Sequence, residues 1–361
     1  MNITLAHLDA LQAFGYTEQE ARFLYIAATH SGYFTVQQFL SFVGTSYGKR
    51  NGRFVEKLLA LGHASAQRYR RRALLYHLDS RRIYAAIGKD YLQGRREHEL
   101  RYIKTRLLGL DFILSHPEEN YFETAKAKLR YFIEVCKLDP KLFCAGNKKQ
   151  PRITFGDGFP LCVANPAPNP DPLVTFSYIN PDYWSLGPYI AYLRRYRPLF
   201  RQLPSLQFFY IATKFGRHEE AGQIFSLLME GDGLADLLRF FDVQTKWDNK
   251  QYTSLTDHDL IFRNEMKKRF GRQILETMRR IWRRNQLPKY FEPQQGLAEH
   301  KQKIVFRTMV APGYEGIFGE STKREHDFSR ILGNPNLVKV LESPGTRAKP
   351  LNEGEMHEEE Q

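Results

Sequence analysis

Apolar residues between positions 35 and 62 recur at helical spacing, and Gly44 divides them into two groups. The first group follows Thr35, and Gln38 comes three residues later, which is the spacing of a capping box. Gly44 supplies the kind of residue at which helices commonly end. The pattern predicts a short amphipathic helix whose buried face consists of Phe39, Leu40 and Val43.

A second helix is predicted between Gly44 and Gly62. Its apolar residues Phe54, Leu58 and Leu61 fall on one side at helical spacing. The basic residues on the other sides, which this spacing leaves free to meet an anion, are Lys49, Arg50, Arg53 and Lys57. A basic exposed face on the second of two consecutive helices is what insertion into a DNA groove requires.

Two short strands joined by an arginine run are predicted after Gly62. Residues 64–69 and 73–78 have the composition of a hairpin. The basic residues of its first strand and tip are Arg68, Arg70, Arg71 and Arg72. Adjacent arginines are too costly to bury together, but at the end of a narrow ribbon they can reach backbone phosphates. The alternative is a small helical module with a solvated basic hairpin that contacts proteins.

The residues before this stretch predict two supporting helices. Leu8, Leu11 and Phe14 lie at helical spacing, which indicates a short helix or an arm. Thr17 and Glu20 form a second capping-box pair. The helix behind that pair has a predicted buried face of Ala21, Leu24, Tyr25 and Ala28.

Residues 95–116 predict a further helix with basic residues opposite an apolar stripe. The stripe consists of Leu100, Ile103, Leu107, Leu110 and Ile113. The stripe is too short for a sustained coiled coil. Two roles for it are therefore considered: packing in the core of one chain, and contact between two chains in a homodimer. Residues 139–140 and 146–151 interrupt the pattern, which places a domain boundary ahead of Arg152.

The pattern after Arg152 indicates a mixed α/β layer. The sequence predicts a first strand that begins at Arg152 and runs into a tight turn at residues 156–158. Apolar runs predict further strands at residues 160–164, 173–179, 206–213 and 304–309. Helices are predicted at residues 186–200, 219–230, 234–241 and 257–284. The basic residues of the last helix are Lys267, Lys268, Arg269, Arg272, Arg279, Arg280, Arg283 and Arg284. They form either a second phosphate-contacting surface or a solvated face.

The charge of the chain makes nucleic acid the first partner to consider. The 361 residues carry a formal net charge of +13, although residues 353–361 are an acidic run. No apolar stretch approaches 18 residues, and no basic region followed by an apolar segment opens the sequence. We therefore expect a cytoplasmic protein without membrane or small-molecule cofactor. Its three cysteines, Cys136, Cys144 and Cys162, lack metal-ligand spacing and are interpreted as reduced packing residues.

Residues 58–88 resemble the replication-relaxation family of plasmid and mobile-element proteins, and more loosely MarR-like regulators. The shared order is leucines, glycine, strand, arginine-tipped hairpin, a strand ending Tyr-x-Leu, and a helix. The matching positions are Leu58, Leu59, Gly62, Tyr76, Leu78 and Ile87. These are mostly fold residues, so the resemblance implies a winged helix-turn-helix more strongly than it implies one activity.

The order of strands and helices after residue 152 also resembles restriction-endonuclease-like nucleases. Such enzymes hold Mg²⁺ with an acidic residue after the first hairpin strand and an E-x-K or D-x-K triplet on the next. Asp157 can fill the first position, but it is more simply the middle residue of a Gly-Asp-Gly turn, and the strand at 173–179 carries no carboxylate or lysine. Asp171 and Asp182 flank that strand and offer a displaced metal site. The candidate contact aromatics are Tyr178, Tyr183 and Trp184, although such residues are more often part of the core.

Together these patterns predict an α+β protein with an N-terminal winged helix-turn-helix and a degenerate restriction-endonuclease-like core. The predicted segments are a DNA-binding domain at 1–90, a helical connector at 91–150, an α/β domain at 151–318 and a disordered tail at 319–361. The leading hypothesis is a non-catalytic protein that binds duplex DNA with a sequence preference and needs no metal or cofactor. The alternatives are a metal-dependent nuclease using Asp157, and a basic interaction protein that binds RNA or an acidic partner.

Overall fold

The computed structural model of the chain has an α+β architecture, as the sequence predicts. Its residues divide into two compact units at the boundary between Ile103 and Lys104. We call residues 3–103 the N-terminal unit and residues 104–313 the second unit, so the predicted connector is shared between them. The structure describes residues 3–44, 49–69, 73–145, 152–155, 158–164, 172–181, 185–214, 216–229, 233–283 and 303–318.

The N-terminal unit contains five helices and three short strands among its described residues, before the first turn of a sixth helix. The helices are α1 (Leu5–Gln12), α2 (Glu18–His30), α3 (Val36–Val43), α4 (Lys49–Ala60) and α5 (Arg81–Ala86). The strands are β1 (Tyr33–Phe34), β2 (Ser65–Arg68) and β3 (Leu74–His77). A turn of 3-10 helix at Gln93–Arg95 precedes α6 (Leu100–Ser115).

The predicted helix starts of α2 and α3 are confirmed by complete capping boxes. Thr17 caps α2, and its N–H donates to Glu20 Oε2 at 2.8 Å. Thr35 caps α3 in the same way, with Gln38 Oε1 accepting its N–H at 3.0 Å. Gly44 ends α3 with a φ of 66°, a conformation that glycine adopts without steric cost.

The three strands form one antiparallel sheet in the order β1-β3-β2. The predicted hairpin is confirmed, because Ser65 pairs with His77 and Arg68 pairs with Leu74. Strand β1 was not predicted. It has two residues, too few for a periodic signal, and it exists because β3 offers it a pairing edge.

Four aromatic rings hold the helices of the N-terminal unit against its sheet. They are Phe23, Phe34, Phe39 and Phe54, all buried, with Phe39 and Phe54 stacked at 4.0 Å between ring centroids. Leu58 of α4 is also buried, but Leu61 is 40% exposed, so its predicted burial is wrong. Helix α4 ends at Ala60, and Leu61 therefore lies in the turn rather than on the apolar face.

The segment before α6 is fastened to the N-terminal unit through main-chain groups. His77 Nε2 donates to Gly94 O at 3.0 Å, and Tyr33 Oη donates to Arg96 O at 3.0 Å. The rings of Tyr33 and His77 stack with centroids 4.2 Å apart. Gly32 and Gly94 cross at this point so closely that Gly32 has no room for a side chain, and a Cβ at Gly94 would lie 3.2 Å from Tyr84 Oη.

We expect the N-terminal unit to lose stability as pH falls below neutral. Burial lowers the pKa values of His63 and His77 below 6.5, with Arg82 also lowering that of His63. The unfolded chain then binds more protons than the folded unit below about pH 6.5, so stability is complete above this value and declines below it. Hydrogen exchange of residues 3–103, corrected for intrinsic rates, measures the change. The double variant His63→Phe, His77→Phe should show a smaller pH dependence, and an equal dependence would contradict the assignment.

The second unit contains the remaining strands and helices, continuing from α6. Its strands are β4 (Asn120–Tyr121), β5 (Cys144–Ala145), β6 (Arg152–Ile153), β7 (Leu161–Val163), β8 (Val174–Asn180), β9 (Ser205–Ala212) and β10 (Lys303–Val310). Its further helices are α7 (Ala125–Arg130), α8 (Leu186–Phe200), α9 (Gly216–Met229), α10 (Leu234–Asp248) and α11 (Asp257–Arg283). Short helical turns occur at Tyr131–Val135, Pro140–Phe143 and Tyr252–Ser254. The short helix Glu315–Phe318 groups with residues 3–103 and is not part of the second unit.

Five of these strands form a mixed sheet in the order β10-β9-β8-β7-β4. Strand β7 runs antiparallel to both β4 and β8, whereas β8, β9 and β10 are mutually parallel. The strands predicted at residues 160–164, 173–179, 206–213 and 304–309 and the α/β layering are confirmed. The strand predicted at Arg152 is present as β6, but it pairs with β5 in a separate two-stranded sheet and not with β7. The two-residue strand β4 was not predicted, and like β1 it is defined by its partner.

Helices cover both faces of this sheet. On one face, Phe112 of α6 contacts Phe209 at 5.0 Å between ring centroids, and Gly109 lies against Ile179. On the other face, Phe200 of α8 contacts Phe176 at 4.7 Å. Every residue of β8 is buried, as expected for a central strand with helices on both sides. Four residues of the predicted apolar stripe of α6 are buried, namely Ile103, Leu107, Leu110 and Ile113.

The described cysteine side chains fit the predicted packing role. Cys162 is buried on β7, and Cys136 is half-buried, and both thiols are free. Burial raises the pKa of the Cys162 thiol to about 12, so it stays protonated and unreactive at neutral pH. The side chain of Cys144 lies outside the described residues.

Candidate nucleic-acid interface

Among the described side chains of α4, the basic residue Arg53 is turned outward while the apolar side of the helix is fixed in the core. Phe54 and Leu58 are fully buried, and Arg53 is exposed. Side chains of successive helical residues point in directions about 100° apart. The Arg53 side chain therefore projects away from the core, although the next residue, Phe54, is buried in it. Glu56 and Ala60 are exposed on the same outer face. Arg53 therefore has the exposure that the sequence predicts for it.

Lys57 is not free to meet an anion, contrary to the expectation from helical spacing. Its Nζ lies 2.7 Å from Glu20 Oε2 and donates to Gly15 O at 2.8 Å. The ammonium also lies 5.1 Å from the centre of the Tyr16 ring. Lys57 sits between the outer and inner faces of α4, where α2 supplies the Glu20 carboxylate and the turn between α1 and α2 supplies the Gly15 carbonyl. Its contacts are internal to the N-terminal unit.

The sequence pattern does not predict the ion pair between Glu20 and Lys57. The capping-box spacing identified Glu20 as a helix-start residue, and its carboxylate does accept the Thr17 N–H. The same oxygen also accepts from Lys57, which lies 37 residues further along the chain. Local spacing carries no signal for such a pair, because it depends on how α4 packs against α2.

The β2–β3 hairpin places a second exposed arginine near its tip. Arg68 is exposed at the end of β2 and pairs with Leu74. The Tyr69 N–H then donates to Ala73 O at 2.8 Å, which extends the pairing one residue beyond β2 and β3. Arg70, Arg71 and Arg72 lie outside the described residues. Lys49 and Arg50 belong to the first turn of α4, but their side chains are likewise not described.

The basic helix α11 is interrupted at Gly271, where φ is 62° and ψ is 165°. The single continuous helix that the sequence predicts is therefore bent into two segments. Ile274, Leu275 and Met278 form its buried side. Glycine can adopt this backbone conformation inside a helical pattern, and periodicity alone does not reveal it.

Several arginines of α11 are bound to carboxylates of the same unit. Arg269 lies 3.1 Å from Asp236, Arg279 pairs with Asp248, and Arg272 lies 2.7 Å from Glu276. The exposed basic residues that have no ion pair among the described residues are Lys267, Lys268, Arg280 and Arg283. The candidate second phosphate surface is thus narrower than the sequence suggests.

The residues of the alternative nuclease hypothesis fall almost entirely outside the described part of the chain. Asp157, Asp171 and Asp182 are not described, and the same holds for Tyr183 and Trp184. Tyr178 is only 1% exposed, so it is a core residue rather than a contact aromatic.

The described residues offer no metal centre in place of that site. Strand β8 carries no aspartate, glutamate or lysine. Within the described ranges, no group of three or more His, Cys, Asp or Glu side chains is placed to hold a metal ion. None of the described helices is both long enough and apolar enough to cross a membrane.

Comparisons of the chain with protein-family models, with curated proteins and with solved structures found no match.

Proposed function

We propose that this chain is a non-catalytic protein that binds duplex DNA with a sequence preference, and that its N-terminal unit binds the DNA as a winged helix-turn-helix. One observation carries the proposal: α4 is anchored by Phe54 and Leu58 while its Arg53 is exposed. The β2–β3 hairpin follows α4, with the exposed Arg68 at the end of its first strand. Helix, turn, helix and hairpin come in the order of that module, and the sheet order β1-β3-β2 is compatible with it.

In this proposal α4 enters a DNA groove and the hairpin is the wing. Arg53, with Lys49 and Arg50 from the preceding turn, contacts base edges, since an arginine can bind guanine O6 and N7 with two hydrogen bonds. Arg68 and the three tip arginines contact phosphates, which position the protein without reading sequence. Lys57 does not contact DNA in this proposal, because its ammonium group binds Glu20 and Gly15 within the N-terminal unit.

We also propose that the second unit is a restriction-endonuclease-like scaffold without its catalytic centre. The α6, β4, β7, β8, α8, β9 order and the mixed sheet support this assignment. The resemblance to the replication-relaxation family suggests a plasmid or mobile-element protein of the cytoplasm that acts in replication, mobilisation or transcription control. Selection of bound fragments from random duplex DNA would identify the target sequence.

The test of DNA binding is the dependence of affinity on salt. Each phosphate neutralised by lysine or arginine releases condensed counterion, so log affinity should fall with log salt concentration by roughly 0.9 per contact. Fluorescence anisotropy with a labelled duplex over a series of salt concentrations measures the slope. A slope near zero would contradict the proposal. Stronger competition by RNA than by duplex DNA would favour the interaction-protein alternative instead.

We expect no DNA cleavage by the full chain in the presence of Mg²⁺ or Mn²⁺. A divalent ion in such a site normally requires at least two convergent oxygen ligands, and β8 supplies no carboxylate. Supercoiled, linear and single-stranded DNA should remain intact at protein concentrations that saturate binding. Cleavage that survives purification and disappears in Asp157→Ala would establish the nuclease alternative and make Asp171 and Asp182 the first candidates for the missing ligand.

A further inference from the structure

One carboxylate in the N-terminal unit joins the start of α2 to the middle of α4. Glu20 Oε2 accepts the Thr17 N–H at 2.8 Å and lies 2.7 Å from Lys57 Nζ. Lys57 also donates to Gly15 O at 2.8 Å. The Lys57 side chain is 28% exposed and that of Glu20 is 9% exposed, so the pair is largely withdrawn from water. Charge-assisted bonds in such surroundings are stronger and less screened than surface ion pairs.

The location of this pair gives α4 a second fixed point. Phe54 anchors the helix in the aromatic cluster, stacked on Phe39. Lys57 follows three residues later, about one turn along the helix, and ties its flank to the α1–α2 turn. Two anchors on different sides of a helix restrict rotation about its axis as well as translation. The direction in which Arg53 leaves the helix depends on that rotation.

We infer that Glu20 and Lys57 are positioning residues of the DNA interface, and that Lys57 sets the orientation of α4 instead of neutralising a phosphate. The inference rests on the proposed function. Bidentate recognition of a base edge requires a fixed geometry, whereas phosphate contacts tolerate displacement. Loss of the pair should therefore reduce affinity for the preferred sequence more than affinity for arbitrary duplex DNA.

Glu20→Gln is the sharpest variant for testing this role. Glutamine can keep the capping box, as Gln38 does beside Thr35, so mainly the ion pair is lost. If Glu20 affected DNA binding only through its negative charge, removing that charge would reduce repulsion of the phosphates and would tighten binding or leave it unchanged. If Glu20 positions α4, its removal should weaken binding to the preferred duplex by about tenfold, the effect of losing one good base contact.

The experiment compares the full chain with Glu20→Gln, Lys57→Met and the double variant. Anisotropy is measured over a salt series with the duplex selected by the full chain and with a random duplex of equal length. We expect each single variant to lose about tenfold for the selected duplex and little for the random one. The salt slope should be unchanged, and the double variant should be no weaker than either single variant. Hydrogen exchange of residues 3–103 confirms that each variant is folded.

Three results would overturn the inference. If Lys57→Met lowers the salt slope by roughly 0.9 while Glu20→Gln binds as tightly as the full chain, Lys57 contacts a phosphate. If both folded variants bind the selected duplex as the unchanged chain does, the pair serves stability alone. If the unchanged chain shows no salt-dependent duplex binding, the proposed function fails and the inference fails with it, a result distinct from the other two.

Discussion

Replacing Gly32 by alanine should destabilise the N-terminal unit by about 3 to 5 kcal/mol. Gly32 has a φ of +80°, which alanine adopts only with strain. A methyl group there would lie 2.2 Å from Gly94 O and 2.7 Å from Gly94 C. Both atoms are main chain, so no side-chain rotation relieves the clash. The segment around Gly94 must move away, and the bonds from His77 and Tyr33 to this segment would be lost.

Gly88→Ala is the matched control for this variant. Gly88 also has a positive φ, +66°, but a methyl group there has nothing within 4 Å. It should cost only the conformational strain, about 1 to 2 kcal/mol. Hydrogen exchange of the peptides that contain β1 and β3 measures the loss in each variant. The chain's tryptophans, Trp184, Trp247 and Trp282, all lie in the second unit, so their fluorescence separately reports whether that unit is intact. If Gly32→Ala and Gly88→Ala reduce stability equally, the close approach of Gly32 to Gly94 contributes nothing to the stability of the unit.

Local physics explains why much of the fold was predictable. The capping boxes at Thr17 and Thr35 depend on residues three positions apart, and the structure contains both. Strands β8 and β9 were predicted as apolar runs because strands covered by helices on both faces need apolar residues at nearly every position. In each instance the residues that determine the element are neighbours in the sequence.

The features that could not be predicted depend on distant residues. Strands β1 and β4 have two residues each and are defined by the strands with which they pair. Helical spacing assigned Lys57 to the outer side of α4, but the carboxylate that binds it belongs to α2. The sequence therefore identified Arg53 and Arg68 as exposed, but it overestimated the number of free cations on α4 and on α11.

Replacing Arg70, Arg71 and Arg72 together by alanine should reduce duplex affinity by about 10² to 10³-fold at about 0.1 M salt. Each phosphate contact contributes roughly 0.9 to the salt slope, so losing three should lower the slope by roughly 2.7. Arg68 pairs with Leu74 below the tip, and Tyr69 closes the loop, so the hairpin can form without the three arginines. Because phosphates carry no sequence information, preferred and random duplexes should lose affinity alike.

Arg53→Ala should change the preferred sequence instead, with a smaller loss of overall affinity. Arg53 is exposed beside the anchored Phe54, so truncating it leaves the core of the unit intact. Losing one base contact should cost about 1 to 3 kcal/mol for the preferred duplex and little for others, and Arg50→Ala should act in the same way. Selection of bound fragments with each variant, followed by anisotropy over a salt series, measures both properties.

The control for the hairpin variant is an equal change of charge in the second unit. Lys126, Lys137 and Lys141 are exposed there, and replacing all three by alanine removes the same net charge. If this control lowers the salt slope as much as the hairpin variant does, net charge and not the hairpin governs binding. If the hairpin variant alters sequence preference while Arg53→Ala and Arg50→Ala do not, the roles are reversed: the hairpin reads bases, and α4 holds the phosphate backbone.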